Sequence, residues 1–152
     1  MQSMTLEKLN FILADDDQDD WEIFQEGLAG TMPSHTLHWV KHGENVFEEV
    51  KGLIPDILFL DLNLPGYDGI ECLKLIKEEP GIEKVPVIIY TTSNAPSHVK
   101  ECYDLGAARY LLKPVSYNGI FKGLELIFNL YKKSQLVRPE FDQFVIDTYQ
   151  LD

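Results

Sequence analysis

At 152 residues with 45% hydrophobic content, the chain has material for one domain with a sizeable core and no room for a second. A formal net charge of −12 makes a nucleic-acid backbone an unfavourable partner, since such binders display a basic stripe, and no apolar run approaches the ~18 residues that cross a bilayer. The start MQSMTLEKLN lacks the charged-then-apolar order of a secretory signal, and Cys72 and Cys102 lack metal-type spacing, so the expectation is a cytoplasmic protein with two buried or half-buried free thiols.

Five short apolar runs recur along the chain, at residues 9–14, 36–40, 57–60, 85–90 and 109–112, and a segment of helical periodicity follows each. That alternation predicts βα units and a parallel sheet covered on both faces. Trp21, Phe24 and Leu28 share one side of the first helix. Pro65-Gly66 and Asp68-Gly69 punctuate the loop after the third strand, and Pro80-Gly81 the turn before the fourth. Val99, Cys102, Tyr103 and Gly106 mark the fourth helix, and Ile120, Phe121, Leu124, Ile127, Phe128 and Tyr131 the fifth, over 116–133. These stripes read as core rather than as a cofactor box. His35, His38, His42 and His98 read as surface side chains at loops and helix starts. Residues 134–139 read as a linker. Beyond it, Phe141, Phe144, Val145 and Tyr149 stand at i, i+3, i+4 and i+8, which predicts a short amphipathic helix docked on the body or on a second copy of the chain, a homodimer; the alternative is a frayed end. The organisation is thus one domain over 1–133, then a linker and amphipathic tail over 134–152 with no output domain.

The chemistry collects where the strands end, the edge at which parallel sheets bind ligands. The first strand runs into Asp15, Asp16 and Asp17, the third into Asp61, the fourth into Thr91 and Thr92, and the fifth into Lys113-Pro114. Carboxylates brought this close raise one another's pKa unless a cation neutralises them. A hard divalent ion, Mg²⁺ above all, suits oxygen donors of this kind. For Asp17 a solvated helix cap is the better reading. Lys113 brings a further positive charge.

The pieces FILADDD, PDILFLDLNLPGYDG, VPVIIYTTS and GAARYLLKP, in this order over residues 9–133, closely resemble the receiver domains of two-component response regulators, in particular single-domain, chemotaxis-regulator-like ones. The resemblance implies a flavodoxin-like, doubly wound α/β fold with five parallel strands in the order 2-1-3-4-5 and helices on both faces. It implies Asp61 as phosphoacceptor, Asp15, Asp16 and Asp61 with the main-chain carbonyl of Asn63 as Mg²⁺ ligands, and Lys113 as the partner of the phosphate. Thr91 would be the switch hydroxyl and Tyr110 the aromatic that moves with phosphorylation, although Tyr110 also reads as a strand aromatic packed on a helix. A cis Lys113–Pro114 bond is implied as well. The implied donor is a sensor histidine kinase or a histidine phosphotransfer protein. The domain would thus be a phosphoacceptor rather than an enzyme, beyond catalysing its own phosphoryl transfer and autodephosphorylation.

A carboxylate is a competent nucleophile for phosphoryl transfer, and the work left to the protein is positioning and charge stabilisation. The phosphoryl group would add roughly −1.5 to −2 charge beside the Thr91 hydroxyl, and the fourth helix, fifth strand and fifth helix would form the readout surface. Two features depart from the resemblance. Thr92 is bulkier than the alanine or glycine usual there, and QDDWEIFQEG gives the first helix an acidic face that would select among partner kinases. Three rivals share parts of the pattern. An aspartate-nucleophile phosphatase of the haloacid dehalogenase type needs a second Asp where Asn63 stands, an FMN module needs a phosphate loop in place of three aspartates, and a phosphate-independent receiver-like module commonly lacks a key group.

Overall fold

The computed structural model describes residues 8–32 and 34–148. Six strands, β1 (Leu9–Ala14), β2 (His35–Val40), β3 (Ile57–Leu60), β4 (Val87–Thr91), β5 (Arg109–Leu112) and β6 (Val145–Ile146), form one sheet in the order 2-1-3-4-5-6. All five pairings are parallel. Helices α1 (Gln18–Thr31), α2 (Gly43–Leu53), α3 (Gly69–Glu78), α4 (Pro96–Asp104) and α5 (Tyr117–Lys132) make the crossovers.

Every residue of β3 and β4 is buried, which is why ILFL and VIIYT are unbroken apolar runs rather than alternating ones. Period-two alternation divides the side chains between two cores. Ile12, Leu58, Leu60 and Ile89 face α2, α3 and α4 through Val50, Leu73, Ile76 and Cys102. Phe11, Leu13, Phe59, Ile88 and Leu111 face α1 and α5 through Phe24, Leu28, Leu124 and Phe128. The strand order reverses beside β1, so the loops after β1 and β3 open a crevice at the carboxyl edge.

The tail departs from the predicted helix. After α5, Leu136 buries itself in the α1/α5 core, and the carbonyls of Val137 and Pro139 accept from Arg109 (2.6 Å) and the Tyr103 hydroxyl (2.7 Å). The stretch read as a linker is therefore held down. A single 3₁₀ turn, Phe141–Gln143, leads into β6, which pairs with β5. Two turns of isolated helix gain little in water, whereas the open edge of β5 offers unpaired backbone groups: the Tyr110 N–H donates to the Phe144 carbonyl at 3.0 Å. Phe144 is fully buried against Tyr103 and Tyr110. Gly119 of α5 leaves room for this path, since a Cβ there would lie 2.9 Å from the Thr148 hydroxyl. Tyr149, the last residue of the predicted face, lies outside the described residues.

Two smaller expectations are also corrected. His35 and His38 stand on β2 rather than in loops: the strand begins one residue earlier than its apolar run, which takes in His35, and His38 lies within that run on an exposed position. No peptide bond among the described residues is cis, so Lys113–Pro114 is trans.

Candidate functional site

Each strand end delivers its side chain through backbone pairing. The Asp15 N–H donates to the Val40 carbonyl (3.0 Å) and the Asp61 N–H to the Ala14 carbonyl (2.9 Å), which sets the two carboxylates side by side. Asp61 Oδ1 accepts from the Asn63 N–H at 3.1 Å. The Asp61 carbonyl lies against Gly69 at the start of α3, where any Cβ would collide with it. Only glycine lets α3 begin this close to the loop. Asp68 and Glu71 then close a reciprocal capping box that fixes the helix start. At β5 the Lys113 N–H donates to the Thr91 carbonyl (2.8 Å), and the side chain turns into the crevice although its peptide bond to Pro114 is trans.

Asp15, Asp16 and Asp61 each offer a carboxylate oxygen within 4.8 Å of the others. Asp15 and Asp61 are buried, and Asp16 is exposed. Lys113 Nζ lies 2.7 Å from Asp15 Oδ2, 2.7 Å from Asp20 Oδ2 and 2.8 Å from Asp61 Oδ2. The contacts to Asp20 and Asp61 are hydrogen bonds. The one to Asp15 is an ion pair, and Asp15 Oδ2 is buried with no further partner. Desolvation dominates at Asp15 and raises its carboxyl to about 6, against the opposing pull of Lys113 and of the Asp17 N–H. At Lys113 burial works to lower the pKa, but the charge of Asp61 and the contacts to the three carboxylates outweigh it, so the ammonium is held above its ordinary value.

Around this centre, Thr91 is fully buried, and the Ser93 N–H approaches its hydroxyl at 3.5 Å. Tyr110 is also fully buried, its hydroxyl donating to the Ser93 carbonyl at 2.8 Å. Ser93 in turn meets His98 Nδ1 at 2.7 Å. Asp17 caps α1, its side chain accepting from the Asp20 N–H. Asp15, Asp16, Asp61, Asn63, Thr91 and Lys113 thus stand at one edge of the sheet, and Tyr110, buried within β5, points its hydroxyl toward it.

Three neighbours escaped the sequence reading. Asp20 reaches Lys113 because only Asp15, Asp16 and Asp17 separate α1 from β1, so its first turn overhangs the crevice. Trp39 donates its indole N–H to the Asp15 carbonyl at 2.6 Å and stacks on Trp21 with ring centroids 4.7 Å apart. Ser93 links Thr91 to Tyr110 through its backbone. The length of the β1–α1 connection could have flagged Asp20; nothing local to Trp39 points to Asp15.

Residues 11–125 match the response regulator receiver domain family. The chain belongs to that family. It is 32% identical to the response regulator Rcp1 of Synechocystis over 73% of its own length and 80% of that protein's. It is 29% identical to the transcriptional regulatory protein LnrK of Bacillus subtilis over 87% of its length, and the matched region spans 60% of LnrK. The phosphorylated cyanobacterial phytochrome response regulator RcpA superposes with a TM-score of 0.77 at 27% identity, covering 84% of this chain and 96% of that one. A Mn²⁺-bound form of Rcp1 superposes at 0.70 with 30% identity, covering 81% and 94%. The receiver domain therefore has the flavodoxin-like order 2-1-3-4-5, extended here by β6, and an acidic cluster compatible with Mg²⁺ and phosphorylation. Among the described residues no helix is long and apolar enough to cross a membrane. Cys72 and Cys102 are free and buried, each thiol pushed up to about 12 by desolvation, which leaves both unreactive.

Proposed function

We propose that this receiver accepts a phosphoryl group on Asp61 from the phosphohistidine of a sensor kinase or a phosphotransfer protein. One observation carries the reading: Asp61 stands between two carboxylates and an ammonium, with Thr91 at the end of the next strand. The phosphorylated state of RcpA and the metal-bound state of Rcp1 support it by likeness.

Mg²⁺ fits the residues present. Three hard oxygen donors within 4.8 Å, one of them from a buried Asp15 whose Oδ2 has no hydrogen-bond partner and only the Lys113 ammonium beside it, are what such an ion takes. Asp15, Asp16, Asp61 and the Asn63 carbonyl would hold it. When bound, the ion supplies positive charge against the phosphoryl oxygens. An Asp61 carboxylate oxygen attacks phosphorus, a P–O bond forms, the P–N bond to the donor histidine breaks, and its electron pair stays on the imidazole, which takes up a proton. Lys113 Nζ, already 2.8 Å from Asp61, pairs with the transferred group, and the Thr91 hydroxyl hydrogen-bonds it. The product is an acyl phosphate, labile enough to reset.

The switch runs from Thr91 through the Ser93 backbone to Tyr110. Tyr110 contacts Phe144, so the readout surface of α4, β5 and α5 includes the tail strand. A conformational response requires that the phosphoryl group bind the two states of this path unequally. Transfer from a labelled phosphohistidine donor to wild type, and none to Asp61→Asn, is the expected result. Labelling of Asp61→Asn would refute the assignment.

A further inference from the structure

Asp20 is not among the residues that the acidic cluster or the switch uses, yet it makes one of the two hydrogen bonds that the Lys113 ammonium donates in the crevice. Its carboxylate is the most exposed of the ammonium's three partners, at 33% against 0% for Asp15 and 6% for Asp61. Asp15 is further tied by the Asp17 N–H and has no freedom to leave. Asp20 lies in the first turn of α1, where its backbone is fixed by Asp17 and its side chain has Lys113 as its partner.

An ammonium has three N–H donors and no acceptor, and carboxylate oxygens of Asp15, Asp20 and Asp61 already surround that of Lys113 at 2.7, 2.7 and 2.8 Å. When Asp61 carries a phosphoryl group, Lys113 must turn a donor toward new oxygens bearing roughly −1.5 to −2 charge. Some carboxylate then gives way, and the one that loses least on returning to water is the half-exposed one. Asp20 also places a negative charge beside the path of an anionic donor, and like charges at this range repel.

We propose that Asp20 is a positioning residue that restrains Lys113 in the resting receiver and is displaced from it by the arriving phosphoryl group, so that it sets how readily Asp61 is phosphorylated. The proposal rests on Asp61 being the phosphoacceptor. Removing the restraint frees a donor for the phosphoryl group, so Asp20→Asn accepts phosphate faster and holds it longer than the wild type. An acidic residue in the first turn also favours the helix dipole. Asp19 shares that turn and that charge, and no contact joins it to Lys113, so Asp19→Asn separates the two effects.

The test is phosphorylation of the full chain by acetyl phosphate with Mg²⁺, followed through the fluorescence of Trp21 and Trp39, which stack beside Asp15, with phosphate content measured in parallel. Asp20→Asn should raise the apparent second-order rate about tenfold, equivalent to about 1.4 kcal/mol. Asp19→Asn should change it less than twofold, and Asp20→Glu, which keeps the charge, should stay near wild type. In a Lys113→Met background, Asp20→Asn should leave beryllium fluoride affinity unchanged, whereas with Lys113 present it should tighten it. An unchanged or slower rate in Asp20→Asn, an equal gain in Asp19→Asn, or a gain in affinity that persists without Lys113 would overturn the role. A wild type that takes up no phosphate would instead refute the phosphoacceptor assignment, which keeps the two failures distinct.

Discussion

Replacing Phe144 by alanine tests whether the tail is part of the fold. The ring is fully buried, with centroids 5.1 Å from Tyr103 and 6.0 Å from Tyr110. Emptying such a site costs about 3–5 kcal/mol in a closed core. A chain end has a way out, because it can open locally while the rest stays folded. The cost therefore saturates at the free energy with which residues 135–148 dock, and truncation after Ser134 measures that ceiling. A loss of about 3 kcal/mol corresponds to a fall in Tm of about 6–12 °C for a chain of this size. Val145, its neighbour, is 39% exposed, so Val145→Ala should shift stability by no more than about 0.5 kcal/mol. Denaturant midpoints would give both numbers. Exchange of the Tyr110 amide, whose N–H donates to the Phe144 carbonyl, would report the tail alone. If Phe144→Ala cost no more than Val145→Ala, and the Tyr110 amide exchanged equally fast in wild type and truncated protein, the tail would not be docked on the body.

Asp16→Ala should weaken Mg²⁺ binding by about tenfold or more while Asp17→Ala changes it little, since Asp16 joins the carboxylate cluster and Asp17 caps α1; a titration monitored by tryptophan fluorescence compares them. The Asp15 carboxyl, raised to about 6, binds its proton more tightly in the folded chain than in the unfolded one. Without metal, stability should therefore fall as pH rises from about 4 through 6, and Mg²⁺ affinity should drop as pH falls below about 6; thermal unfolding and metal titrations at several pH values check both signs. Thr91→Ala should still take up phosphate, but the amide exchange of Tyr110 and of residues 144–146 should no longer change on phosphorylation.

The sheet was legible where the chain is most constrained. Both faces of β1 and β3 are covered, so their apolar runs end where the strands end, at Ala14 and Leu60. At β4 the run 85–90 misleads: Pro86 has no N–H and contributes only a carbonyl, which accepts from Leu58, so the strand begins at Val87 and extends through Thr91, paired with Leu112. The tail's i, i+3, i+4 spacing fits a helix equally well on paper. What decides against one is an unpaired edge on β5, a long-range fact that no local window contains. The acidic cluster was legible because the first and third strands deliver their carboxylates to one edge. Asp20 and Trp39 were not, since each reaches the centre from an element whose pattern reads as helix surface or strand.

The proposed function requires that Asp61 carry the phosphoryl group. The most direct measurement is incubation of the full chain with acetyl phosphate and Mg²⁺, reduction of the acyl phosphate with borohydride, which converts a phosphorylated aspartate to homoserine, and peptide mass spectrometry. Homoserine is expected at position 61 alone, none when Mg²⁺ is chelated, and none in Asp61→Asn. Homoserine at position 15 or 16 in its place, or no modification at 61 at saturating phosphodonor and metal, would contradict it.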